Sequence, residues 1–326
     1  MQKMFDNIQK NAILWQFLPV VLIMALLPLL LSDYYVYLLA LIIIHALFAT
    51  SLNLVLGFGG MLHLHPGAFL GLGAYATALI ITKTELPFWL GMMLAPFIAA
   101  LFASVIGWVC VRLRGLYFGM MTLAMGQLLW SLVYRWYDFT GGDNGIYGIS
   151  LPPWLEMTNG AYFASLLVGT VCFFMLFRIV NSPFGLGLQA SRDNPQRTES
   201  VGINISRHRL IAFIISGFFA GVAGVLFVVV ERSVSPNLLY WSFSAEVLIM
   251  CILGGMYKFW GPAIGALSVI LLRSYIGSLA DYWLLILGAI LLVIVLFLPQ
   301  GILGFISEKA AAWSPVRKAG EKHAQG

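Results

Sequence analysis

Charged side chains are scarce in this chain of 326 residues: Asp, Glu, Lys and Arg make up 10% of it, whereas hydrophobic residues make up 61%. Ordinary soluble domains carry about 25% charged residues, so the composition excludes that class. Apolar runs of about 20 residues recur, which is the length of an α-helix that crosses a hydrocarbon core about 30 Å thick. The alternating segments of about ten residues that are typical of membrane β-barrels are lacking. The composition therefore predicts an all-α polytopic membrane protein.

The chain also lacks the motifs of nucleotide binding and hydrolysis. It contains no G-x-x-x-x-G-K-[ST], no H-E-x-x-H and no G-x-S-x-G. Its few cysteines lie in or beside apolar segments without metal-ligand spacing, as is typical of small packing residues: Cys110, Cys172 and Cys251. We therefore expect neither an enzyme nor a bound metal or cofactor, and an intramembrane enzyme is disfavoured.

Ten apolar segments predict about ten transmembrane helices. They are residues 12–31, 34–57, 64–82, 88–111, 116–134, 161–178, 210–230, 244–256, 261–280 and 282–298. The first resembles a signal peptide because Lys3 and Lys10 precede it. It is not followed by an A-x-A-like cleavage site, so we expect a retained membrane helix.

The basic residues sort by side of the membrane. With Lys3 and Lys10 in the cytoplasm, most of the 18 basic residues fall on that side, as the positive-inside rule requires. Both chain ends are then cytoplasmic, and residues from about 305 to 326 form a cytoplasmic tail. This sorting explains the net charge of +5 without nucleic-acid binding. The exceptions are Lys83, Arg135 and Arg232 outside, and Arg273 within a span.

Two stretches interrupt this pattern. Residues 57–66 contain GFGG and a proline, and segment 244–256 is short and ends in Gly254-Gly255. Broken or re-entrant helices are tolerated at membrane depth where they are buried in protein or line water, and they often border translocation paths. Tight packing is an equally good interpretation, since the glycine pairs Gly67/Gly71 and Gly261/Gly265 follow the two breaks.

Ionisable residues within the spans are few. A charge at the membrane centre costs about 2.5–3.5 kcal/mol on insertion scales, so such a residue usually faces a cavity or a partner. Arg273 pairs with Glu246 or with another subunit, or it serves the path. His63 and His65 favour packing or a polar lining over metal binding, because no cysteine or carboxylate lies near them. The candidates for the translocation path are His63, His65, Gly67, Gly71, Glu246 and Arg273.

The polar stretch 182–209, on the basic side, contains helix signals. Asn194 suits an N-cap, Pro195 the first helical position and Gly202 the residue after the last turn. These signals predict a helix of about two turns at 195–201 outside the bilayer. Two interpretations are open: an ordinary solvated loop, or a surface through which a soluble motor moves a membrane subunit.

The predicted outer loop reads DFTGGDNGIYG from Asp138 to Gly148. Glycine, Asn and Asp favour turns, and backbone amides in such turns can hold anions. The loop is either a plain turn or a surface for a solute or an outer binding protein. The residues concerned are Thr140, Gly141, Gly142, Asp143, Asn144 and Gly145.

Seven stretches, in order, resemble the branched-chain amino-acid ABC importer permease family of the LivM type. They are SLNLVLGFGG (51–60), GAFLGLGAYATALI (67–80), RGLYFGMMTLA (114–124), TGGDNGIYG (140–148), the FGLGLQASRDNP and ESVGI parts of 184–203, LGGMYKFWGPAIGA (253–266) and LFLPQGILG (296–304). The resemblance implies one permease domain over 1–326 in a bacterial inner membrane. It also implies a second homologous permease, two ATPase subunits that bind the ATP, and a periplasmic binding protein.

By this resemblance, one loop docks into the ATPase and transmits its closure. Its residues are Arg192, Asp193, Asn194, Pro195, Glu199 and Gly202. Relatives commonly read G-Q-x-S-L-G-H where this chain has GMLHLH at 60–65. A branched-chain amino acid is the expected solute, with urea, short amides and aromatic acids as alternatives. A self-sufficient secondary transporter is the rival class, although the scarcity of titratable groups in the spans disfavours it.

Overall fold

The computed structural model describes residues 19–84, 86–276, 285–286, 288–289, 292 and 301–305. The helices are α1 Pro19–Leu29, α2 Asp33–Asn53, α3 Gly67–Lys83, α4 Phe88–Cys110, α5 Leu116–Arg135, α6 Tyr137–Thr140, α7 Pro153–Glu156, α8 Thr158–Val180, α9 Pro183–Asp193, α10 Pro195–Ser200, α11 Ile205–Glu231, α12 Trp241–Gly254 and α13 Gly261–Ile276. The strands β1 Ile146–Tyr147 and β2 Ser233–Val234 form a small antiparallel pair.

Among the described residues, five helices are long and apolar enough to cross a membrane: Asp33–Phe58, Phe88–Cys110, Leu116–Arg135, Thr158–Val180 and Ile205–Glu231. Each matches a predicted segment. Shorter apolar helices, α1, α3, α12 and α13, match four more. The first seven residues of predicted segment 12–31, most of segment 282–298 and the tail beyond 305 lie outside the described residues. The count of ten spans and the cytoplasmic placement of both ends therefore stay predictions.

Helices α2 and α11 form the centre of the protein. The apolar stretch of α2 is 89% buried and that of α11 is 72% buried, against 33% for α5 and for α8. Small residues allow the close packing of α11, as expected between helices in lipid. A Cβ on Gly217 would overlap Ala103, and one on Gly221 would overlap Ala99. The outer helices keep apolar faces that suit lipid or another subunit.

Both predicted breaks are present. Helix α2 continues as a π-helical turn, Leu54–Phe58, and the chain then runs without regular structure until α3 begins at Gly67. Helix α12 ends at Gly254, and a short connection leads to α13. Gly60 (φ +63°) and Gly255 (φ +110°) adopt backbone conformations that disfavour side chains.

The stretch 182–209 has more helix than the sequence predicted. Besides α10 it contains α9, whose N-cap Ser182 accepts a hydrogen bond from the Gly185 N–H. Two glycines in α9, Gly185 and Gly187, lower its intrinsic helix propensity, so the sequence did not predict this helix. Tertiary packing compensates, because Leu188 is fully buried.

Candidate functional site

Helix α10 forms as predicted and projects an exposed surface. The Asn194 Oδ1 accepts a hydrogen bond from the Arg197 N–H at 3.0 Å, and Gly202 follows the helix with φ +90°. Thr198 faces inward, whereas Arg197 and Glu199 are exposed, and Val201 is 76% exposed. Such a short, capped, outward-facing helix is suited to contact a second protein.

Arg192, at the end of α9, points in the opposite direction, into the protein. Its Nη1 donates a hydrogen bond of 2.7 Å to the carbonyl oxygen of Gly57, in the π-helical turn. The last carbonyls of a helix lack intrahelical partners, and a cation there also complements the helix dipole. The guanidinium lies 5.3 Å from the ring centre of Tyr257 and 2.8 Å from Asp193 Oδ1. A Cβ on Gly60 would overlap the Arg192 side chain.

The two breaks also contact each other. Asn53 Nδ2 donates to the carbonyl oxygen of Lys258 at 3.4 Å, and a Cβ on Gly57 would overlap the carbonyl of Met256. Together with Arg192, the residues 53–60 and 254–258 form one packed cluster, which we call the break junction. The two breaks predicted from the sequence thus lie side by side, and the Arg192 side chain links them to the 182–209 stretch.

His63 and His65 are buried beside this junction. The ring of His63 packs against Phe213, with 4.9 Å between ring centres. His65 Nδ1 lies 3.2 Å from Ser244 Oγ, which accepts a hydrogen bond from the Gly67 N–H at 3.0 Å. Within the described ranges, no group of three His, Cys, Asp or Glu residues is arranged to hold a metal.

The predicted path glycines have packing contacts. A Cβ on Gly67 would overlap Ser244, and one on Gly71 would overlap Leu239. These contacts hold α3 against α12 and the chain before it. A path role for these glycines and for the two histidines stays a prediction.

A cavity of about 660 Å³, with a mostly apolar lining that includes a few charged side chains, lies between α2, α11, α12 and α13. It contains Glu231, Glu246 and Arg273. Arg273 Nη1 lies 3.5 Å from Glu246 Oε1, so the predicted pair is present but loose. The Tyr37 hydroxyl donates a hydrogen bond to Glu231. Glu231 is the C-terminal residue of α11, and the 182–209 stretch contains the other end of that helix.

The predicted outer loop is a packed turn. Gly141, Gly142 and Gly145 adopt positive φ angles of 79°, 57° and 73°. Thr140 Oγ1 donates to the carbonyl oxygen of Val133 at 2.6 Å, and Asn144 Nδ2 donates to the Tyr137 hydroxyl at 3.0 Å. Asp143 is exposed. The turn is confirmed, and its contact with a solute or binding protein stays a prediction.

Comparison with known proteins decides the family. Residues 34–295 match the family model described as "Branched-chain amino acid transport system / permease component". The chain belongs to this permease family. It is 30% identical to the high-affinity branched-chain amino acid transport system permease protein LivM of Salmonella typhimurium, over 80% of this chain and 68% of the relative.

Other relatives of the permease differ in their named solutes. The nucleoside ABC transporter permease protein NupC of Lactococcus lactis is 24% identical over 68% of this chain and 74% of its own length. The autoinducer 2 import system permease protein LsrC of Photorhabdus laumondii is 25% identical over 55% of this chain and 54% of its own length. No solved structure matches the permease.

Sequence reasoning missed several residues of the permease that the structure places at these sites. Glu231 directly follows the predicted segment 210–230 and was not among the candidates, but it ends α11 and lines the cavity. Tyr37 and Tyr257 gave no signal, because aromatic residues are common in apolar segments. Gly57 contributes a backbone carbonyl, which no sequence motif reveals.

Proposed function

We propose that this chain is a transmembrane subunit of an ATP-driven importer in a bacterial inner membrane. Its solute is a branched-chain amino acid or a related small polar molecule delivered by a periplasmic binding protein. A second homologous permease completes the path, and two ATPase subunits bind and hydrolyse the ATP. Membership of the permease family and the 30% identity to LivM support this assignment.

The hydrogen bond from Arg192 to Gly57 is the observation that carries the proposed mechanism. Closure of the ATPases moves α10, and α9 moves with it. Arg192 then pulls on the carbonyl of Gly57 and shifts the break junction, where the helix geometry departs from a regular α-helix. Hydrogen bonds to a charged group contribute about 1.5–3 kcal/mol, enough to bias two arrangements of a junction. Local π-helical turns are frequent at functional sites.

A second candidate function is a self-sufficient secondary transporter, and the charged cavity is the observation that favours it. Such a transporter needs titratable or ion-binding groups at membrane depth, which Glu231 and Glu246 would provide. It would not need a cytoplasmic helix with an exposed face. The proposed importer gives this exposed helix a role, which the secondary transporter does not.

Gentle detergent extraction from native membranes tests the assignment. We expect a second permease and two ATPase subunits to co-purify with the chain. Arg197→Gln changes an exposed arginine of α10 and should lower the amount of ATPase recovered with the chain. The matched control is Arg178→Gln, at an exposed arginine at the end of α8, which should not change that amount. A chain that purifies alone and moves solute in liposomes without ATP would establish the secondary transporter instead.

The solute is a separate question from the assembly. Urea, short amides and aromatic acids are alternatives to branched-chain amino acids, and the relatives named for nucleosides and autoinducer 2 add two more. ATP-driven uptake by the reconstituted complex with its binding protein would rank these solutes directly.

A further inference from the structure

Three arginines lie together where the connection between α4 and α5 reaches the start of α11. Arg112 and Arg114 belong to that connection, and Arg209 lies in the second turn of α11. The two helices pack closely at this end, because a Cβ on Gly107 of α4 would lie only 2.8 Å from the ring of Phe213 in α11. Arg209 is consequently near enough to Arg114 for the two positive charges to repel each other. We call the three arginines the basic cluster.

The basic cluster has little negative charge to balance it. Within the part of the chain that the structure describes, none of its guanidinium groups forms an ion pair or a hydrogen bond. The Nε of Arg209 is buried without a hydrogen-bond partner. Glu199 attracts Arg209 but does not form an ion pair with it, and Asp193 is already paired with Arg192 at 2.8 Å. The basic cluster therefore has an excess of positive charge that an anion would balance.

The basic cluster also lies at the end of an exposed apolar surface. The Arg112 guanidinium is 4.2 Å from the ring centre of Trp108, which is 59% exposed. Tryptophan is enriched where a membrane meets water, and a guanidinium is attracted to its ring. Leu101, Val105 and Trp108 are exposed and three or four positions apart, so they share one face of α4, which Arg112 continues. Positive charge and apolar surface thus meet at one edge of the protein.

The start of α5 extends this apolar surface. Leu116 and Met120 are exposed and one helical turn apart. A soluble anion would contact the arginines and leave these apolar faces uncovered. A lipid with a charged headgroup has the complementary form, because its phosphate and its acyl chains are joined in one molecule. Basic pockets between helices on the cytoplasmic side of a membrane are typical sites for anionic headgroups.

We propose that the basic cluster binds the phosphate group of an anionic membrane lipid, on the predicted cytoplasmic side of the membrane. Arg114 and Arg209 contact the phosphate, which offsets the repulsion between them. A guanidinium suits this role because it can donate two parallel hydrogen bonds to phosphate oxygens. Arg112, held on the ring of Trp108, adds a third positive charge, and the acyl chains lie along the exposed faces of α4 and α5. The site does not depend on which solute the permease carries.

Tryptophan fluorescence in bilayers tests the proposal, because bromine atoms on acyl chains quench nearby indole rings. The intact complex is placed in phosphatidylcholine with increasing fractions of brominated phosphatidylglycerol, or of brominated phosphatidylcholine as the neutral reference. The signal of Trp108 is the difference between the wild type and Trp108→Phe. We expect phosphatidylglycerol to be preferred at least about tenfold, since each basic residue near an anionic lipid contributes about fivefold. Equal quenching by the two brominated lipids would overturn the proposal.

A matched pair of variants locates the site. Arg114→Gln removes one exposed charge of the basic cluster and should lower the preference for phosphatidylglycerol at Trp108 about fivefold. Arg178→Gln makes the same chemical change at an exposed arginine at the end of α8, on the same predicted side of the membrane, and should not change the preference. Equal losses in the two variants, or no loss in Arg114→Gln, would refute the assignment.

Two further measurements distinguish a lipid from other ligands of the basic cluster. Replacement of chloride by inorganic phosphate at equal ionic strength should leave the lipid preference unchanged, and its loss would indicate a site for a soluble anion instead. Arg114→Gln should leave the amount of co-purified ATPase unchanged. If that variant lowered ATPase recovery and kept the lipid preference, the basic cluster would be a protein interface and the lipid assignment would be wrong.

Discussion

Two arginines at different places in the permease have contrasting surroundings. Arg192 makes a 2.7 Å hydrogen bond to a backbone carbonyl, and its side chain is 26% exposed. Arg273 makes a 3.5 Å contact with a carboxylate, and its side chain is 54% exposed. A tight bond to the backbone transmits displacement of the chain, whereas a longer contact between two side chains links the neighbouring helices α12 and α13. We therefore propose mechanical coupling as the role of Arg192, and packing of α13 against α12 as the role of Arg273.

The largest expected effect concerns the space that Arg192 occupies. Gly60→Ala should lower ATP-driven uptake at least tenfold, because its Cβ would overlap Arg192 and a non-glycine residue at φ +63° costs about 1–2 kcal/mol. The measurement is uptake by proteoliposomes that contain equal amounts of complex.

Gly115→Ala is the matched control for backbone strain. Gly115 has φ +59°, and a Cβ there meets no atom within 4 Å. This variant should have the backbone cost alone and keep most of its uptake. Similar losses of uptake in the two variants would show that backbone strain, and not the space that Arg192 occupies beside Gly60, causes the loss.

Removal of the Arg192 side chain should uncouple the importer. Arg192→Ala loses a charge-assisted hydrogen bond worth about 1.5–3 kcal/mol, so we expect about tenfold fewer solute molecules transported per ATP hydrolysed. The ATPases should still co-purify, because the exposed face of α10 is unchanged. Arg192→Lys keeps one donor and should restore part of the ratio. A normal ratio in Arg192→Ala would eliminate the coupling role.

A smaller effect is expected at the cavity. Tyr37→Phe removes the hydroxyl that donates to the Glu231 carboxylate, so the free energy of unfolding should fall by about 1.5–3 kcal/mol. Tyr34→Phe removes a hydrogen bond of 2.8 Å between two neutral hydroxyls, Tyr34 and Ser274, and should cost about 0.5–1.5 kcal/mol. The comparison is made by thermal unfolding in detergent, and a larger loss in Tyr34→Phe would contradict these contacts.

The smallest effect is expected at the cap of α10. Asn194→Ala should destabilise this helix by about 1 kcal/mol and reduce ATPase recovery a few-fold. Asn204→Ala removes the equivalent cap of α11, whose Oδ1 accepts from the Arg207 N–H at 3.0 Å. That variant should lower thermal stability by a similar amount without reducing ATPase recovery. If equal amounts of ATPase co-purified with both variants, a role of α10 in ATPase docking would be excluded.

Local features of this fold were predictable from the sequence, and distant contacts were not. The long spans follow from apolar runs, and α10 follows from Asn194 and Gly202, because these signals act within a few residues. Helix α9 was missed because its glycines oppose helix formation and only tertiary packing overrides them. The breaks were predicted from glycine and proline, since both act on the local backbone.

The candidate sites depend on pairings that span most of the chain. Arg192 and Gly57 are 135 positions apart, and Tyr37 and Glu231 are 194 positions apart. No local pattern specifies such pairs. The pairing of Arg273 with Glu246, only 27 positions away, was one of the interpretations that the sequence left open, and the structure contains this contact.

The π-helical turn Leu54–Phe58 sets the direction in which the last carbonyls of this helix point. A π-turn accommodates about one residue more than an α-turn, and one residue corresponds to about 100° around a helix axis. Deletion of a single residue from this turn would restore regular α-helix and swing the carbonyl of Gly57 away from Arg192. The extra residue thus orients the carbonyl of Gly57, at the end of a buried helix, toward the Arg192 side chain.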